Sequence, residues 1–140
     1  MFDKLLLAVD GSKHALNAAA MAGDLARALK SRELRIVVVY DAIPPYLGEP
    51  NLQTAIDARL REAHTVMEAA TQAVGKVPGE IHMETLEGSP AEAILDVCNT
   101  RHSDLIVMGS RGLGRLSGLL LGSTSQKVVS HAPCPVLIAR

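Results

Sequence analysis

Leu5–Val9, Ile36–Val39, Leu105–Met108 and Pro135–Ala139 are short stretches dominated by Val, Ile and Leu, with no polar residue among them. Apolar runs of this length, without polar alternation, read as strands buried on both faces. The segments between them repeat apolar residues at helical spacing instead. Ala15, Ala18, Ala19, Ala22, Leu25, Ala26 and Leu29 mark one helix, and Leu52, Ile56, Leu60, Ala63, Met67, Ala70 and Val74 trace a longer one. Ile94, Leu95 and Cys98 give a third helix its apolar side, and a short fourth is expected from about 123 to 131. Ile81 to Leu86 has mixed polarity, as an edge strand does. Five strands alternating with four helices constrain the chain to one α/β domain over residues 1–140: an open five-stranded parallel sheet with helices on both faces.

The punctuation agrees with this order. Asp10-Gly11 ends the first strand, and Ser12 is placed to cap the following helix. Residues 41–51 hold three prolines and a glycine and read as a loop, and Lys76-Val77-Pro78-Gly79 stops the long helix. Ser89-Pro90-Ala91-Glu92 has the form of a capping box, with Pro90 in the first helical position and Glu92 at the third. Pro133 ends the last helix.

Composition narrows the function classes. Apolar residues make up 48% of the chain and aromatics 2%, so the core is built from Val, Ile, Leu and Ala. The net charge is −1 and no Lys/Arg cluster exceeds a few residues, which gives no electrostatic footprint for nucleic acid. No apolar run approaches the roughly 20 residues that span a bilayer. Met1-Phe2-Asp3-Lys4 leads straight into a strand with no signal-peptide pattern, so a soluble cytoplasmic protein is expected. Cys98 and Cys134 form no C-x-x-C pattern and are expected to be reduced structural cysteines. His14, His64, His82, His102 and His131 show no metal-ligand spacing.

The chemistry concentrates near the end of the chain. Gly109-Ser-Arg-Gly112 is followed nine residues later by Gly122-Ser123-Thr124, in the form G-x-x-G-x₉-G-S-T. This pattern follows a buried strand and precedes a helix start. Glycines let backbone N–H groups approach an anion, and a helix N-terminus adds unpaired donors and a favourable dipole. In open α/β sheets ligands sit beyond the carboxyl ends of the strands, where strand order reverses. For order 3-2-1-4-5 that point lies between strands 1 and 4, which end at Asp10 and Gly109. The fold argument and the glycine argument therefore select one crevice. In it Asp10 is placed for ribose hydroxyls or adenine, and the main chain near Tyr40 and Asp41 for an adenine edge. Gly109 and Gly112 would pass under ribose and α-phosphate. Gly122 N–H, Ser123, Thr124 and Ser125 would hold the outer phosphates, with charge from Arg111 and Arg115. The Walker pattern G-x-x-x-x-G-K-[ST] is absent, since Gly122 is followed by serine, and so is a dinucleotide G-x-G-x-x-G after the first strand.

Asp10-Gly11-Ser12, Gly109-Ser-Arg-Gly112-Leu-Gly114, Gly122-Ser123 and His131-Ala-Pro-Cys-Pro-Val-Leu-Ile together resemble the universal stress protein family, over the whole chain and in its ATP-binding branch. The resemblance implies a Rossmann-like sheet of order 3-2-1-4-5, a homodimer, here through the terminal strand Val136–Ala139, and ATP or AMP as ligand. By position it implies nucleotide contacts at Ala8, Asp10, the backbone of Asp41, Met108 and Gly109. It adds Arg111, Gly112, Gly114 and Arg115 in the loop and Gly122, Ser123, Thr124 and Ser125 at the helix start. Ala8 stands where some relatives have proline.

Two functions share this crevice: a nucleotide-binding regulatory protein of the stress response, or a slow ATPase or phosphotransferase acting through positioning and Mg²⁺. Phosphoryl transfer needs a positioned nucleophile, metal and charge stabilisation. No base stands near the phosphate loop in the sequence, which favours binding over turnover.

Overall fold

The computed structural model describes residues 1–111 and 121–140. Its strands are β1 (Lys4–Val9), β2 (Glu33–Tyr40), β3 (Glu80–Glu87), β4 (Leu105–Gly109) and β5 (Val136–Ala139). Its α-helices are α1 (Lys13–Leu29), α2 (Asn51–Val74), α3 (Pro90–Arg101) and α4 (Ser123–His131), with a 3₁₀ turn at Pro45–Leu47. The sheet order is β3-β2-β1-β4-β5 and every pairing is parallel. The expected fold class is the one observed.

Each face of the sheet has its own core. Leu5, Leu7 and Val9 of β1 face α1 and α2, with Ile36 and Val38 of β2 and Val107 of β4. Leu6 and Ala8 face α3 and α4, with Val37, Ile106 and Met108. This alternation explains why β1 shows no polar position from Leu5 to Val9: both of its faces are covered. Helix α1 meets the sheet through alanines and lies against α2 so closely that a Cβ at Gly23 would overlap the Val74 carbonyl oxygen. No helix among the described residues is long and apolar enough to cross a membrane.

Two local readings change. Strand β2 begins at Glu33 rather than Ile36, because Arg35 is buried within it and neutralised by Glu33 at 2.6 Å and Glu84 at 3.2 Å. A charged residue in the middle of a strand hides the pattern that marks the strand's start. The capping box at α3 does not form. The Ser89 side chain makes no capping hydrogen bond, and Glu92 pairs with Lys127 of α4 at 3.2 Å. Its carboxylate thus bridges two helices instead of closing a turn. Ser12 does cap α1, its hydroxyl accepting the Ala15 N–H at 3.1 Å.

Candidate functional site

Strands β1 and β4 are neighbours whose following helices lie on opposite faces, so their carboxyl ends part into a crevice. Its volume is about 370 Å³, within the range of small-molecule sites. The crevice has an apolar wall and a polar rim. Ala8, Val37, Val39 and Met108 from the strands form the wall with Pro90 and Ile94 of α3. Asp10, Ser12, Gly109, Arg111 and the segment Gly122–Ser125 form the rim.

Asp10 continues from β1 and is half-buried. One carboxylate oxygen accepts the Ser12 N–H at 2.9 Å, which fixes the turn into α1 and holds the carboxylate at the crevice mouth. Gly109 is required by packing. A Cβ there would stand 2.8 Å from the His14 carbonyl carbon and 2.9 Å from the Ala15 nitrogen, so only glycine lets β4 end against the first turn of α1.

Ser110 is the hub of the rim. Its N–H donates to the Ala139 carbonyl at 2.7 Å. Its own carbonyl accepts the Gly122 N–H at 2.7 Å and the Ser125 hydroxyl at 2.8 Å. Its buried hydroxyl lies 3.0 Å from His14 Nδ1. The hub ties the ends of β4 and β5 to the starts of α1 and α4.

This arrangement corrects two expectations. The Gly122 N–H, expected to hold an outer phosphate, is spent on Ser110. The Ser125 hydroxyl also turns inward, to Ser110 and Gly122. Both residues still line the crevice. What α4 offers there is the backbone N–H groups of Ser123, Thr124 and Ser125, which a first helical turn leaves without intrahelical partners, and the Ser123 and Thr124 hydroxyls. Among the described residues no side chain caps this helix, and its positive end suits an anion.

The remaining candidates divide. Ala8, Asp10, Met108, Gly109 and Arg111 all line the crevice. Asp41 does not; it is exposed in the loop after β2, whose contribution comes from Val37 and Val39. Gly112, Gly114 and Arg115 lie outside the described residues. Sequence reasoning missed Val37, Val39, Pro90, Ile94 and Ser110. The two valines and Ile94 carry the same apolar signal as the core, and Pro90 registers only as a helix start.

The universal stress protein family model matches residues 1–140. A universal stress protein of Thermus aquaticus, described as encoded in the QAH/OAS sulfhydrylase 3' region, is 50% identical over 140 residues, covering all of both chains. The structure of UspA from Lactobacillus plantarum superposes with a TM-score of 0.87 at 30% identity, covering 99% of this chain and 98% of that one. A universal stress protein in complex with cAMP matches with a TM-score of 0.68 at 29% identity, covering 99% and 97%. With the sheet order, the crevice and the glycine pattern in place, the chain belongs to the universal stress protein family.

Proposed function

We propose that this protein binds an adenine nucleotide, ATP or AMP, in the crevice between β1 and β4, and acts as a nucleotide-dependent regulatory protein of the stress response. One observation carries the reading: a single crevice joins an apolar wall to a helix N-terminus suited to phosphate. The base would lie on Val37, Val39, Ile94 and Met108, where burial of its faces replaces contact with water. Asp10 would accept from the ribose hydroxyls. Arg111 and the first-turn N–H groups of Ser123, Thr124 and Ser125 would meet the phosphates, in charge-assisted hydrogen bonds. The relative bound to cAMP supports an adenine nucleotide as the ligand class.

Binding, not turnover, is the function. The rim holds donors that act alike on ground and transition states, and such uniform binding gives affinity without rate. Ser110, which has a histidine neighbour, is buried and turned away from the crevice. Any hydrolysis is expected far below the roughly 10 s⁻¹ of a median enzyme. A Mg-ATP phosphate-release assay tests this point, and several turnovers per second lost in Asp10→Ala would make the protein an enzyme. Mass spectrometry of freshly purified, denatured protein tests the ligand. An adenine nucleotide in stoichiometric amount is the expected result, and a different cofactor would replace this reading.

The protein would work as a homodimer through Val136–Ala139. Strand β5 is a sheet edge, and an apolar edge invites a second strand, antiparallel across a two-fold axis. Leu137 itself packs into the core on the α1 side, so the backbone of β5 would make the join. Sedimentation as a monomer at tens of micromolar would refute the dimer (about the range of a weak association).

A further inference from the structure

Away from the crevice, the fold brings together the two cysteines, which are separated by 36 residues. Cys98 is buried in the last turns of α3, in the core beneath α3 and α4. Cys134 is half-buried in the bend between α4 and β5, flanked by Pro133 and Pro135. Their Sγ atoms lie 3.6 Å apart, and both are free thiols. Nothing in the nucleotide-binding reading uses them.

We propose that Cys98 and Cys134 form a reversible dithiol–disulfide site that is oxidised by a peroxide. Reaching bonding distance requires the sulfurs to close by about 1.5 Å. The bend holding Cys134 can supply that movement. It is anchored at its ends, by the Ala132 N–H on Val128 and by the Pro135 carbonyl on the Ile106 N–H, and Cys134 itself belongs to neither helix nor strand.

The two thiols have different parts. Burial pushes Cys98 up to about 12, with the hydrogen bond to Cys134 adding to the shift. Burial also raises Cys134, but hydrogen bonds from Cys98 and from the Ile106 backbone oppose it. Cys134 is the more exposed and the better nucleophile. Its thiolate attacks a peroxide oxygen, the O–O bond breaks, and an alcohol or water leaves, which gives a sulfenic acid on Cys134. The Cys98 sulfur then displaces hydroxide from that sulfur, and hydroxide departs as water with the Cys98 proton. Two thiols lose two electrons and one peroxide gains them. The reluctant ionisation of Cys98 slows the second step.

The cross-link closes residues 99–133 into a loop, and that loop carries Arg111 and Gly122–Ser125. Restricting the unfolded chain this way is expected to raise Tm by on the order of 10 °C.

The test treats the full chain with hydrogen peroxide, then counts thiols after unfolding and weighs the intact protein. Wild type should lose both thiols together, with a mass lower by two hydrogens, a raised Tm and full reversal by dithiothreitol. Cys98→Ser should stop at a sulfenic acid on Cys134 that dimedone traps, and Cys134→Ser should keep a Cys98 thiol that resists peroxide. The wild-type measurement decides alone if a variant fails to fold. Both thiols intact after treatment, or thiols lost only into cross-linked dimers on a non-reducing gel, would overturn the proposal.

Discussion

The apolar wall and the polar rim of the crevice face each other but are built from different materials. The wall is made of side chains: Ala8, Val37, Ile94 and Met108 belong to the same cluster as Leu6 and Val128, and the crevice opens where that cluster stops. Any residues of similar volume and apolarity would do the same work. The rim is made mostly of backbone, held in place by the bonds that converge on Ser110 and by the close approach of β4 to α1. There the identity of one residue decides the geometry. The wall should therefore tolerate conservative change, and the rim should not.

Substitution of two adjacent residues tests this contrast with the largest expected effect. Gly109→Val drives a branched side chain into the backbone of α1 and is expected to cost about 3 kcal/mol of stability. Met108→Leu, one residue earlier and in the wall, should cost less than about 1.5 kcal/mol. Urea denaturation of both variants measures the difference. Equal losses would mean that the rim is no more demanding than the wall.

The contrast also explains what was legible in the sequence. The rim announced itself, because glycines at fixed spacing after an apolar run have few other uses. The wall was silent. Val37 and Val39 read as strand, and nothing in an apolar run tells which residue borders a cavity. Ser110 stands inside the glycine motif, yet its part is not legible there, because it depends on Ala139, Gly122 and His14, which only the fold brings near. The sheet order came from the family resemblance; the apolar runs of β1 and β4 mark buried strands but do not by themselves order them. The start of β2 was not legible, because Arg35 finds its counter-charges on its own strand and on β3.

Binding separates the two halves further. Gly122 has φ −72° and ψ 169°, a conformation open to any residue, so Gly122→Val should fold. Crowding of the phosphate end should weaken ATP at least tenfold, about 1.4 kcal/mol, and adenosine much less. Arg111→Ala should lower ATP affinity about fivefold, or about 1 kcal/mol, with a smaller change for AMP. Isothermal titration with the three ligands reads both. Equal losses for adenosine and ATP would contradict the division of the crevice into base and phosphate halves.

A pH-dependent effect belongs to the core behind the wall. Burial holds the Cys98 thiol protonated up to about 12, against an ordinary value of 9.0. Between these values the unfolded chain releases a proton that the folded chain keeps, so stability falls as pH rises from about 9 towards 12. Denaturation midpoints of wild type and Cys98→Ala across that range measure this contribution. Parallel curves would remove it.

The central claim is that an adenine nucleotide lies with its base on the wall and its phosphates on the rim. Calorimetric titration of ATP into wild type and Val39→Trp tests it most directly, because the indole would fill the slot without touching the rim. Wild type should bind in the micromolar range, about −8 kcal/mol, and a folded Val39→Trp should not bind. Wild-type affinity retained in that variant, or no saturable binding by wild type up to millimolar ATP, would contradict it.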